Sequence, residues 1–147
     1  MRIYLDICCL KRPFDDQSQP RIALETTAIL SILSAVNDGR IQTVRSAAHD
    51  LENSFDPDPR RSAAVAAWLD ALNPAVPAPE EVRTIFSRAR EAGIGQGDAL
   101  HLAWAVHLGC DELLTTDAKF MRRARKMADM IQLQVRSPID FVQEHGL

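Results

Sequence analysis

The pattern of hydrophobic and polar positions changes along the chain between short, mostly apolar runs and longer segments with helical spacing. Residues 2–5 and 112–116 have the length of buried strands, whereas 41–45 and 131–135 alternate apolar and polar side chains as half-buried strands do. Apolar side chains recur at helical spacing over 21–37, and capping residues, prolines and glycines bound further helices. These predicted helices follow Ser46, span 59–72, 80–92, 98–108 and 119–127, and begin again at Ser137-Pro138.

Strands that alternate with helices predict an α/β protein, a three-layer α/β/α sandwich around a central, mainly parallel sheet of four to five strands. The fifth would be a very short edge strand within 73–79, where three prolines keep the chain extended. Residues 8–10 continue the apolar run after the first strand, and 11–16 are predicted to form a loop. The length and the lack of repeats predict one domain over 1–147.

Composition narrows the classes of protein to consider. The apolar fraction of 46% and the charged fraction of 25% are ordinary for a globular chain, and no apolar run approaches the roughly 18 residues of a membrane span. Asp6 comes too early for a signal peptide, so we expect a cytoplasmic protein. Cys8, Cys9 and Cys110 have no framework spacing and fit reduced thiols. A net charge of −3 leaves only local basic patches for nucleic acid.

The segment from 98 to 117 places two acids at one predicted edge of the sheet. The helix over 98–108 is apolar on most sides, which is typical of a buried helix, and a strand follows it. In a parallel α/β sheet, the helix N-terminus lies at the edge where the strands end, which is where such folds bind ligands. Asp98 and Asp117 should therefore share this edge, although each acid alone could also be a helix N-cap.

Two further acids are predicted to reach the same edge. Asp6 ends the first strand, and Glu52 lies in the helix that follows the second strand. Like charges at 4 Å repel by about 4 kcal/mol at an effective dielectric near 20, so a fold that gathers four acids favours a cation. Carboxylate oxygens suit Mg²⁺ and Mn²⁺. The predicted metal ligands are Asp6, Glu52, Asp98 and Asp117.

The same segments together resemble a PIN domain over essentially the whole chain. The run DALHLA at 98–103, followed by LLTTD at 113–117, resembles the C-terminal half of that family. Residues 4–6 resemble its first strand and first acid. Ser46, followed six residues later by Glu52, has the spacing of the helix that supplies the second acid.

The resemblance implies a metal-dependent ribonuclease with a PIN-like fold. Many single-domain PIN proteins of this size are VapC-type toxins of toxin–antitoxin pairs. On that model the four acids hold one or two Mg²⁺ or Mn²⁺ ions, and hydrolysis of the RNA phosphodiester leaves a 3′-hydroxyl and a 5′-phosphate. The resemblance also implies a homodimer and a small antitoxin protein as partner.

One departure from the family pattern lies next to Asp6. The family usually has threonine or serine after its first acid, but here Ile7 and Cys8 follow. A hydroxyl that could orient Asp6 is missing there. Loss of such a supporting contact lowers metal affinity or activity by roughly 10- to 100-fold at metal sites. Residues 7–15 also resemble a PIN subgroup with Cys-Cys and Arg-Pro-Phe. The alternative function is therefore a catalytically weakened PIN-like module that binds RNA or protein.

Candidate substrate contacts are a hydroxyl and several basic side chains. Thr115 matches a hydroxyl position that the family often keeps beside the site, although strand propensity explains a threonine equally well. The basic run after Asp117 either contacts RNA phosphates or forms a solvated helix face. The candidates in this group are Thr115, Lys119, Arg122, Arg123 and Arg12.

Other residues near the predicted edge have competing interpretations. His101, one turn after Asp98, is better interpreted as a buried histidine with a polar partner than as a metal or substrate contact. Asp50 competes with Glu52 as the second acid, but on a helix the two point about 200° apart. Cys8 is predicted to pack as a small apolar side chain. It also disfavours a haloacid-dehalogenase-type phosphatase, which needs aspartate at that position.

Overall fold

A computed structural model describes residues 1–72 and 79–147, and this part of the chain forms four strands and eight α-helices. The predicted edge strand at 73–79 falls almost wholly outside the described residues. The strands are β1 (Arg2–Leu5), β2 (Gln42–Thr43), β3 (Glu112–Leu114) and β4 (Gln134–Arg136). The helices are α1 (Ile7–Lys11), α2 (Pro20–Asn37), α3 (Ala47–Ser54), α4 (Pro59–Asp70), α5 (Glu80–Glu91), α6 (Gln96–His107), α7 (Ala118–Ala124) and α8 (Pro138–His145).

The four strands form one parallel sheet in the order β2-β1-β3-β4. Leu5 pairs with Leu114, so β1 and β3 end side by side at the centre of the sheet. The backbone N–H of Asp6 continues this pairing by donating to Leu114 O at 2.9 Å. The residues that follow β1 and β3 therefore emerge next to each other at the carboxyl edge.

Two hydrophobic clusters cover the two faces of the sheet. Tyr4 and Leu113 point into the cluster that contains α5, α6 and α7. Ile3, Leu5 and Leu114 point into the other, with α2, α4 and α8. This alternation follows from the two-residue period of a strand. The predicted three-layer α/β/α sandwich is confirmed.

The chain after β1 differs from the prediction. Residues 7–11 form α1, and Arg12–Phe14 form a 3₁₀ helix instead of a loop. Ile7, Cys9 and Leu10 of this helix are all buried in the same hydrophobic cluster as Leu5. Their apolar run is therefore explained by a buried helical turn and not by a longer strand.

Helix α6 starts earlier than predicted, with Gly95 at the N-cap position and Gln96 as its first residue. Asp98 consequently lies inside the first turn and is not the N-cap. Asp117 does cap α7, because its side chain accepts hydrogen bonds from the backbone N–H groups of Lys119 and Phe120. No helix in 1–72 or 79–147 has the length and apolar character that crossing a membrane requires.

Candidate functional site

The acidic site, defined here as Asp6, Glu52, Asp98 and Asp117, is built from four elements. Asp6 directly follows β1, and Asp117 lies three residues after β3 and begins α7. Asp98 belongs to the first turn of α6, and Glu52 lies on α3. The parallel strand ends and the start of α6 thus deliver acids to the carboxyl edge of the sheet.

Asp6 and Glu52 meet at His101. One ligand atom from each of these three side chains lies within 4.8 Å of the other two. His101 Nε2 is 2.6 Å from Glu52 Oε2 and 3.7 Å from Asp6 Oδ1. The Asp6 side chain is 5% exposed and the Glu52 side chain 47% exposed, so Glu52 forms the solvent-facing rim of the acidic site.

Asp98 has a pKa raised to about 6. Burial is the main cause, because it disfavours the charged carboxylate. The negative charges of Asp6 and Asp117 raise the pKa further, and His101 opposes them. Asp98 therefore lies in a region where negative charge accumulates, as the sequence predicts for this edge.

Asp6 is held by two side chains. Thr115 Oγ1 donates to Asp6 Oδ2 at 2.7 Å, and the Cys8 thiol donates to the same oxygen at 3.1 Å. The predicted lack of an orienting hydroxyl is thus wrong, because the neighbouring strand end supplies one. Cys8, interpreted above as simple packing, adds a polar contact that sequence reasoning missed.

Thr115 lies beside the site but beneath its surface. It is fully buried, and its hydroxyl also accepts from the backbone N–H of Asp117 at 3.1 Å. The prediction that Thr115 contacts substrate is therefore wrong. Its buried hydroxyl instead links the Asp6 carboxylate to the backbone of Asp117.

The choice between Asp50 and Glu52 follows from their partners. Asp50 forms an ion pair with Arg45 at 2.9 Å and so points away from the acidic site. Burial raises the pKa of Glu52, but the hydrogen bond and charge of His101, together with the charge of Lys11, outweigh it and leave the pKa below its ordinary value. Glu52 is the acid that faces Asp6, as its spacing predicts.

His101 is buried and has polar partners, as expected, but one of those partners is a site acid. It is 1% exposed and contacts Tyr4 Oη at 2.7 Å in addition to Glu52. Burial lowers its pKa, whereas Glu52 and Asp6 raise it more, so that the pKa lies above the ordinary value. The three-residue spacing from Asp98 to His101 was the available signal, since it places both on one helix face.

The predicted basic contacts separate into two groups. Arg12 is engaged internally, with Asp15 at 2.8 Å and Glu25 at 2.9 Å, which speaks against its predicted contact with RNA. On α7, Lys119 and Arg122 are exposed and Arg123 is half-buried, so these three remain candidates for phosphate contacts.

An apolar groove beside the site was not foreseen. It has a volume of about 310 Å³ and includes Glu52, His101, Leu51, Phe55 and Leu100 in its lining. Phe55 is 76% exposed, three residues after Glu52. The sequence does not predict such a groove from isolated apolar residues such as Leu51 and Phe55, because scattered exposed hydrophobic residues are common.

The fold and the site together define an α/β protein with acids gathered at the carboxyl edge of a parallel sheet. No protein-family model, curated protein or solved structure matches the chain. What this edge can do therefore depends on the chemistry of its own side chains.

Proposed function

We propose that this protein is a metal-dependent endoribonuclease of PIN-like type that hydrolyses RNA phosphodiester bonds with Mg²⁺ or Mn²⁺. The observation that carries the proposal is the meeting of Asp6 and Glu52 at His101 within 4.8 Å. Asp98, with its pKa raised to about 6, supports it from the same edge.

The donor set fits a divalent cation. Several carboxylates offer hard oxygen ligands. A cation would offset the burial and the repulsion from Asp6 and Asp117 that raise the pKa of Asp98. Asp6, Glu52, Asp98 and Asp117 would hold it. When bound, such an ion activates water and stabilises negative charge that develops on a phosphate.

The chain's own residues would prepare this chemistry. Thr115 and Cys8 fix one oxygen of Asp6, which leaves Oδ1 on the side of His101. The half-exposed Glu52 is accessible from solvent, where a substrate would approach. Helix α7 begins next to Asp117. Its basic side chains would contact the RNA backbone, and these are Lys119, Arg122 and Arg123.

The alternative is a catalytically weakened module that only binds RNA or protein. It was based on the absence of a hydroxyl residue directly after Asp6. Two donors do hold Asp6, so this reason for weakened catalysis falls away. The alternative now predicts RNA binding without metal-dependent cleavage, and a cleavage assay separates the two.

The test is cleavage of a single-stranded RNA with Mn²⁺, with Mg²⁺ and with chelator. We expect cleavage only with metal, 5′-phosphate products, and loss of activity in Asp6→Asn and Glu52→Gln. Asp50→Asn is the matched control, since this acid lies two residues from Glu52 but pairs with Arg45. Cleavage that survives in Asp6→Asn, or that ignores chelator, would contradict the proposal.

We further propose that the protein acts in the cytoplasm as a homodimeric toxin restrained by a small antitoxin. The groove along Leu51, Phe55 and Leu100 supports this part, because it offers an apolar surface directly beside Glu52. The three free cysteines fit a reducing compartment. Sequencing the genes adjacent to this one tests for an antitoxin, and light scattering of the purified protein tests for a dimer.

A further inference from the structure

A chain of hydrogen bonds runs from the acidic site into the core. Glu52 Oε2 contacts His101 Nε2 at 2.6 Å, and His101 Nδ1 contacts Tyr4 Oη at 2.7 Å. Tyr4 Oη then contacts Ser46 Oγ at 2.6 Å, and the backbone N–H of Ser46 donates to His49 Nδ1 at 3.0 Å. Tyr4, Ser46, His49 and His101 are each at most 1% exposed. Such a complete polar network in a core fixes the geometry of its members.

The inner end of this chain fixes the hydrogens of His49. Its Nε2 lies 2.7 Å from the carbonyl oxygen of Leu5, which can only accept, so Nε2 carries the hydrogen. The backbone N–H of Ser46 can only donate, so the Nδ1 of His49 is bare. His49 is therefore a neutral ring in one tautomer.

The outer end follows from the distances. Ser46 Oγ is 3.3 Å from His49 Nδ1, which is already occupied, but only 2.6 Å from Tyr4 Oη. In the neutral form of His101, the Ser46 hydroxyl thus donates to Tyr4, and the Tyr4 hydroxyl donates to His101 Nδ1. In the charged form, which Glu52 and Asp6 favour, both ring nitrogens carry a hydrogen. In either form, the hydrogen on Nε2 points at the carboxylate of Glu52.

We propose that His101 is a positioning residue, which the buried Tyr4–Ser46–His49 chain holds with its Nε2–H toward Glu52, and that it is not itself a metal ligand. This inference rests on the proposed function for its purpose, since it assigns Glu52 an orientation within a metal site. It explains how a half-exposed glutamate can be held beside the buried Asp6. A histidine whose Nε2 carries a hydrogen has no lone pair there for a cation.

The first test needs no metal. Nitrogen NMR of the histidine rings, in chelator and mildly alkaline buffer, reports which ring nitrogen carries the hydrogen. We expect a hydrogen on Nε2 of both His49 and His101, and a bare Nδ1 on His49. A bare Nε2 on His101 would overturn the proposal.

The second test measures Mn²⁺ binding to wild type and to Tyr4→Phe, His101→Gln and His101→Leu. Losing support of this kind weakens metal binding by roughly 10- to 100-fold. We expect His101→Leu to lose Mn²⁺ affinity by this amount. His101→Gln should lose less affinity, because its amide can still donate to Glu52, and Tyr4→Phe should lose about tenfold. His107→Gln is the matched control, because His107 lies on the same helix as His101 but contacts Glu81 of α5 at 2.7 Å, away from the acids.

The same Mn²⁺ samples separate positioning from ligation. Electron spin-echo spectroscopy detects an imidazole nitrogen bound directly to Mn²⁺. We expect no such nitrogen in wild type, and its detection would overturn the positioning role. If wild type binds no Mn²⁺, the proposed function fails, whereas the NMR result still decides how His101 is held.

Discussion

Asp6 uses its two oxygens differently. Oδ2 accepts from Thr115 and Cys8, whereas Oδ1 lies 3.7 Å from His101 Nε2. A carboxylate with one oxygen fixed from behind can turn only a little, so its other oxygen is directed toward the acidic site. Cys8 is the unusual member of this pair, because a thiol is a weaker donor than a hydroxyl.

Removing the Cys8 thiol should therefore loosen Asp6 without unfolding the protein. We expect Cys8→Ala to lower metal-dependent RNA cleavage by about tenfold, at the low end for such supporting contacts, because Thr115 still holds Oδ2. Cys8→Ser keeps a donor and should stay close to wild type. The measurement is the initial cleavage rate at saturating Mn²⁺.

Cys110→Ala serves as control for the loss of a thiol, since Cys110 is buried next to the start of β3. Equal rates for Cys8→Ala and wild type would assign Cys8 to packing alone.

At the scale of elements, hydrophobic periodicity predicted the order of strands and helices and the edge at which the acids meet. The boundaries it missed depend on partners distant in sequence. The second strand was predicted over 41–45, but only Gln42 and Thr43 pair with β1. An early start of α6 at Gln96 was hidden by Gly97, a weak helix former.

Helix α3 illustrates why part of the site was not predictable. Its capping arrangement has a histidine, His49, at the position where glutamate or glutamine is usual, so the sequence signal for it is weak. The ring reaches Leu5 O, a contact 44 residues apart in sequence. Spacing predicted that Glu52 faces the site, but the chain from His49 to His101 exists only once the sheet is formed.

The buried His49 should make stability depend on pH through α3. Burial lowers its pKa to about 3, whereas the unfolded chain has a value of about 6.5. Its contribution is fully present above 6.5 and is lost as the pH falls toward 3, by up to about 1.4 kcal/mol per pH unit. His49→Gln should be less stable at neutral pH, because the bond to Leu5 O is removed, but should lose less stability as the pH falls.

Urea denaturation of both proteins between pH 7 and pH 4 measures this difference, and the other titrating groups are common to both. His107→Gln should retain the wild-type slope, since His107 lies on another helix and pairs with Glu81. Parallel slopes for wild type and His49→Gln would contradict the role assigned to His49.

Helix α7 makes a separate prediction about RNA binding. If Lys119, Arg122 and Arg123 contact phosphates, neutralising two of them should weaken binding similarly for all RNA sequences. The slope of log K against log salt should fall by about 0.7 for each phosphate of a single strand that is no longer neutralised. Filter binding at several salt concentrations, with metal removed to prevent cleavage, gives this slope.

Arg40→Ser is the control for α7, because Arg40 is exposed shortly before β2, at the opposite edge of the sheet. An unchanged slope in the double variant of α7 would assign its basic residues to the solvated surface.

In the whole molecule, charge is sorted by location. The acids of the candidate site gather at the carboxyl edge, whereas Asp56 is neutralised by two cations. Lys11 and Arg61 both bind Asp56, at 3.0 and 2.8 Å, and tie the end of α1 to α4. Lys11 also lowers the pKa of Glu52, although less than His101 does, so its positive charge lies near the rim of the acidic site.

The negative charge of Asp98, which burial and the charges of Asp6 and Asp117 disfavour, should cost stability when no metal is present. Its pKa of about 6 lies above the unfolded value of 3.8, so the cost is complete above pH 6 and disappears as the pH falls to 3.8. We expect Asp98→Asn to be more stable than wild type at neutral pH in chelator, by about 1–2 kcal/mol after allowance for solvent screening. This advantage should vanish near pH 3 in thermal melts.

Mn²⁺ should act in the opposite direction on the same two proteins. An ion at about 100 times its dissociation constant stabilises the state that binds it by roughly 2.7 kcal/mol. Wild type should gain this stabilisation, and Asp98→Asn much less. The stability advantage of Asp98→Asn over wild type should therefore shrink or change sign. Asp50→Asn again controls for the loss of a helical acid. If wild type is the more stable protein in chelator, and Mn²⁺ shifts neither melt, Asp98 has only a structural role in the first turn of α6.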